Sequence, residues 1–83
     1  MKKDDSERTL QYACSPRIEL TGNEECCIEG LKRIEEYSEG KIKIRLGRLS
    51  VTFFGDGLFI NSFSEEGATV EGTIIKMEFS DNA

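Results

Sequence analysis

Lys41-Ile42-Lys43-Ile44-Arg45-Leu46-Gly47-Arg48-Leu49-Ser50-Val51-Thr52-Phe53 alternates apolar and polar side chains on both sides of Gly47-Arg48. A period of two places every second side chain on the same face of an extended strand. Two such runs joined by two residues, one of them glycine, predict a β-hairpin. Ile42, Ile44 and Leu46 then share a face with Leu49, Val51 and Phe53, and that face is the start of a core.

Downstream of this hairpin, Gly55-Asp56-Gly57 reads as a second tight turn leading into Leu58-Phe59-Ile60, a short strand of three apolar residues with both faces expected to be covered. Ser62 to Gly67 is a turn region. The run Ala68-Thr69-Val70-Glu71-Gly72-Thr73-Ile74 continues into Ile75-Lys76-Met77-Glu78-Phe79, but its apolar positions change parity between Ile74 and Ile75. Because a period-two pattern cannot otherwise change sides, a β-bulge or a bend within one long strand is expected there.

Upstream, Pro16 sets an extended start, Arg17-Ile18-Glu19-Leu20-Thr21 alternates with Ile18 and Leu20 toward the core, and Gly22-Asn23 makes a turn. The segment from Glu24 to Ser38 supports two readings. Cys27, Ile28, Leu31 and Ile34 fall at helical spacing between an Asn23 cap and Gly40. Gly30 in mid-segment weakens a helix by roughly 1 kcal/mol, and Ile28, Gly30, Lys32 and Ile34 equally share one strand face. Residues 1–15 are polar and mixed in charge, the composition of a flexible tail. These elements predict an all-β chain: a tail over 1–15, then one domain over 16–80, a small antiparallel β-sandwich or barrel-like fold of six to seven strands.

At 83 residues the chain has room for one core. It has no histidine, which removes the usual general base, the imidazole metal ligand and every Ser-His or Cys-His pair. No enzyme activity and no cofactor are therefore expected. Lys plus Arg is 11 against Asp plus Glu of 16, a net charge of -5, so nucleic acid and anionic lipid are repelled unless a local patch overrides the balance. No run approaches the ~20 apolar residues of a membrane span, and Met1 to Arg8 lacks the apolar stretch of a leader. A cytoplasmic protein with no membrane span of its own is expected. Cys14, Cys26 and Cys27 lack the spacing of a disulfide framework or zinc ribbon. One or two of them read as small buried hydrophobes in a reducing compartment, with a redox role for adjacent Cys26-Cys27 as the rival.

In order along the chain, Gly22-Asn23, Ile28-Glu29-Gly30-Leu31, Ile34, Tyr37-Ser38, Gly55 with Leu58 and Ile60, Glu71-Gly72-Thr73-Ile74 and Glu78-Phe79 make a pattern. It resembles the YabP/YqfC family of small sporulation proteins of endospore-forming Firmicutes, from Pro16 to Phe79. Many members carry Asn where this chain has Gly30, a departure that implies a different turn there. The resemblance implies a structural or assembly role in endospore formation, in the mother cell or forespore, through protein-protein contacts. It also implies a membrane-bound partner, to which the chain would be peripheral, and a mostly β fold that favours strands over 24–38. It brings no catalytic or ligand residues.

Two surfaces are candidates for function. Phe54, Phe59 and Phe63 are aromatic side chains outside the first hairpin's core face, where at least one would be an interface anchor unless a second sheet covers it. Self-association or docking on a partner through such a surface is expected. Lys41, Lys43 and Arg45 share one strand face, which is either a solvated face balanced by carboxylates or a site for an anionic ligand. The second option makes the protein a small binding module. The pairs Glu24-Glu25, Glu35-Glu36 and Glu65-Glu66 are not expected to form an acid/base dyad, because strand neighbours point to opposite faces.

Overall fold

The alternation around Gly47 folds as its pattern demands. In the computed structural model, which describes residues 16–81, β4 (Lys41–Leu46) and the start of β5 (Leu49–Phe63) pair in the expected register, Ile42 with Phe53, Ile44 with Val51 and Leu46 with Leu49. Gly47 turns the corner at φ +88°. Before this hairpin lie β1 (Arg17–Thr21), β2 (Glu25–Glu29) and β3 (Arg33–Tyr37), and after it β6 (Gly67–Asp81). All pairings are antiparallel and the six strands form one sheet in the order β1-β2-β6-β5-β4-β3. The tail expected over 1–15 lies outside the described residues.

Segment 24–38 is therefore two strands and no helix. Gly30 separates them at φ +82°, a left-handed conformation that glycine, and next to it asparagine, adopts at least cost. Its φ also removes β2 from any helical path.

A single sheet with fully buried side chains must fold over itself. Ile42, Ile44, Val51, Phe53, Val70 and Cys26 are all 0% exposed, and among the described residues there is no helix to cover them. The connection from β2 to β3 shows the same thing. In a flat sheet these strands, four places apart, would be separated by roughly 19 Å, whereas the four chain steps from Glu29 to Arg33 reach only about 14 Å. The sheet accordingly curls, one core cluster draws on β2, β4, β5 and β6, and Ile18, Leu31, Ile34, Ile60 and Met77 pack against its margin. The two expected layers are the two halves of one bent sheet.

The bend lies in the β5–β6 ribbon, where the reading of Gly55-Asp56-Gly57 as a turn is overturned. Both strands run 15 residues without a break, and Gly55 and Asp56 stay paired with Ile74 and Thr73. The glycines serve close approach instead. A Cβ on Gly55 would run into the Thr73 carbonyl, and one on Gly72, at φ +122°, into the Gly57 carbonyl. The expected bulge is present: Phe54 pairs with Lys76 and Gly55 with Ile74, leaving Ile75 as the extra residue. Two further register shifts, before Phe59 and before Ser62, complete the bend.

Two turns brace it from opposite edges. On the β5 side the Gly55 amide donates to the Gly40 carbonyl at 3.1 Å and the Leu58 amide to the Glu39 carbonyl at 2.8 Å. On the β6 side the Gly72 and Ile74 amides donate to the carbonyls of Glu24 and Asn23 at 3.2 and 2.8 Å. Leu58 is buried here but Phe59 is exposed, so the stretch expected to be covered on both faces is covered on one. Leu20 and Leu49, also expected in the core, lie on its rim at 49% and 38% exposure.

Candidate interaction surfaces

The cationic face is assembled by β4 and answered by β3. A register shift between Ile34 and Glu36 makes Glu35 an extra residue in β3, and a bulge of this kind lets consecutive side chains share a side. Glu35 Oε2 lies 3.3 Å from Arg33 Nη2 and 3.7 Å from Arg45 Nη1, Glu35 Oε1 lies 3.8 Å from Lys43 Nζ, and Glu36 Oε1 lies 3.1 Å from Lys41 Nζ. Glu35 and Glu36 thus address the same basic face, contrary to the expectation that neighbours diverge. The structure brings Lys41, Lys43 and Arg45 together, but with counter-charges already in place. Arg45 also donates from Nε to the Gly47 carbonyl at 3.0 Å, which ties it to its own hairpin turn.

The three candidate aromatics are not brought together. Phe54 is half-buried, with the ammonium groups of Lys76 and Lys41 at 5.0 and 5.8 Å from its ring centroid, a cation–π arrangement that occupies the ring face. Phe59 pairs with Glu71 beyond the bend, while the register shift after Ile60 places Phe63 opposite buried Ala68, at the rim of the core face. Phe59 and Phe63 are exposed.

Further exposed apolar side chains lie where sequence reasoning did not place a site. Ile75 is 67% and Phe79 56% exposed, both on the part of β6 beyond the reach of β2, which pairs only with Gly67 to Glu71. The Ile75–Phe79 stretch therefore has β5 on one side and, among the described residues, no strand on the other. Alternation in the sequence marked these residues as strand. Their edge status follows from strand order and the length mismatch between β2 and β6, which no local pattern carries.

The cysteines divide between the two faces of β2. Cys26 is buried and Cys27 exposed, both with free thiols. Burial, and then the neighbouring Cys27, push the Cys26 thiol up from 9.0 to about 11, which keeps it protonated and unreactive. Cys27 Sγ lies 3.9 Å from Thr69 Oγ1. Cys14 lies outside the described residues. A shallow depression of about 200 Å³ beside the β5–β6 turn is walled by Cys27, Glu29, Ser62, Glu66 and Thr69 among others, with two carboxylates and no cation. Among the described residues no three or more Cys, Asp or Glu side chains stand close enough to hold a metal ion, and no helix is long and apolar enough to cross a membrane.

A family model described as the YabP family matches residues 13–83. No curated protein and no solved structure matches the chain.

Proposed function

Because this chain belongs to the YabP family, we propose that it serves endospore formation as a non-enzymatic assembly factor that works by contact with other proteins. The observation that carries the reading is the outer half of β6, where exposed Ile75 and Phe79 flank a strand edge that no strand among the described residues pairs with. Unpaired strand edges are templates for another strand, and native proteins that leave them open and apolar use them for association. The basic face is met by Glu35 and Glu36, so that Arg33, Lys41, Lys43 and Arg45 each already have a carboxylate partner, although the cluster keeps more positive than negative charge. The protein acts in the mother cell or forespore cytoplasm, and reaches a membrane through a membrane-bound partner.

Tagging the chain in a spore-forming host and following it by mass spectrometry through a sporulation time course tests this. Accumulation after the onset of sporulation, together with a copurifying membrane or coat protein, is the expected result. Steady accumulation in vegetative cells without any partner overturns it.

A further inference from the structure

We propose that the open edge of β6 pairs with the same edge of a second copy, antiparallel and centred on Met77, to give a two-fold dimer with one continuous sheet. This rests on the reading of the chain as an assembly protein and names the first contact it makes.

The backbone is oriented for it. The Gly55 amide points to Gly40, away from β6. Alternation along β5 then turns Phe54, Thr52 and Ser50 toward β6, and their partners Lys76, Glu78 and Ser80 toward β5. The N–H and C=O groups of Met77 and Phe79 are left facing the side on which, among the described residues, no strand lies. Met77 opposite its own copy makes a reciprocal pair of backbone hydrogen bonds, the self-complementary contact a two-fold axis requires.

The side chains select that register. Lys76 and Glu78 lie on the outer face, 59% and 58% exposed, and their charged atoms are 3.9 Å apart within the strand. Centred on Met77, each Lys76 stands opposite the copy's Glu78, which gives two cross-strand ion pairs. A register centred on Glu78 would set that carboxylate against itself. A shift by one residue would put the core face of one copy beside the outer face of the other. In the Met77 register, half-buried Met77 and exposed Phe79 extend the apolar core face across the junction. The turn at Asn23-Glu24 closes the edge just before Ile75 through its bonds to Gly72 and Ile74, so the pairing has a defined end. The β1 edge also carries opposite charges, Arg17 and Glu19, but its large exposed apolar side chain is Leu20 alone.

Light scattering on the full chain over a concentration series, with Lys76→Glu, Glu78→Lys and the double variant, decides the matter. Both side chains are exposed, and far-ultraviolet circular dichroism checks that each variant folds. The wild type is expected to reach dimer mass. Each single variant sets like charges opposite one another twice and weakens association roughly tenfold or more. An equimolar mixture of the two single variants restores opposite charges in trans and recovers dimers, as does the double variant alone. A wild type that stays monomeric at every concentration overturns the proposal, as do single variants that dimerise like the wild type. If a monomeric wild type still captures another protein from sporulating cells, self-pairing fails while the assembly reading survives.

Discussion

The Tyr37 hydroxyl, at the end of β3, accepts a hydrogen bond from the Ile60 amide of β5 at 2.9 Å. β3 and β5 are not neighbours in the sheet, since β4 lies between them. The contact exists because β5 bends at Gly55–Leu58 and brings its second half around to the β3–β4 turn. Together with the carbonyls of Gly40 and Glu39 it gives the outer edge of β5 a substitute for a strand.

Replacing Tyr37 with Phe keeps the ring and removes the acceptor. A loss of about 0.5–1.5 kcal/mol in urea unfolding is expected, with faster hydrogen exchange at Ile60 than at core amides such as Val51. Unchanged exchange at Ile60 would mean that the bond does not hold the bend.

Gly55→Ala and Gly47→Ala separate close packing from backbone preference. Both glycines sit at direction changes, but a Cβ on Gly55 meets the Thr73 backbone whereas one on Gly47 meets nothing within 4 Å. Gly47→Ala should cost about 1 kcal/mol through its positive φ alone. Gly55→Ala should cost roughly 3 kcal/mol or more, because backbone on the partner strand must move. Equal costs in denaturant melts would refute the packing account.

The buried Cys26 thiol makes stability fall in alkali. In the unfolded chain it ionises near 9.0, in the folded protein near about 11. Between those values the unfolded state binds fewer protons, so the stabilisation present below pH 9.0 is lost as pH rises toward 11. Cys26→Ala should show a flatter decline over that window in urea unfolding. A thiol reagent at neutral pH should label Cys27 and spare Cys26 until the protein unfolds.

Glu35 answers three cations at once, Arg33, Lys43 and Arg45, with its side chain 20% exposed. Glu35→Gln should therefore cost more than a single exposed ion pair, about 1–2 kcal/mol, and the deficit should shrink as salt screens the remaining cations. The variant should also be retained more strongly on a phosphate-bearing cation-exchange matrix. Wild-type retention and stability in Glu35→Gln would show the ion pairs to be incidental.

Much of this protein follows from local alternation. Ile42 to Phe53 needs only period two and a glycine turn to fold as it does, and the parity change at Ile74-Ile75 points directly to the bulge opposite Phe54 and Gly55. The order of small residues from Gly22 to Phe79 was sufficient for the family. Gly55-Asp56-Gly57 misleads because a glycine absent of side chain suits a turn and a crowded strand crossing alike, and only the Thr73 carbonyl across the ribbon separates the two. Glu35 and Glu36 misled in the same way, since a bulge set by pairing with β4 put both on one face. Which face is apolar is written residue by residue, and the sequence alone determined it. That no strand among the described residues pairs with the outer edge of Ile75–Phe79 depends on strands distant in the chain and on β2 ending short of β6, so only the folded sheet decided it.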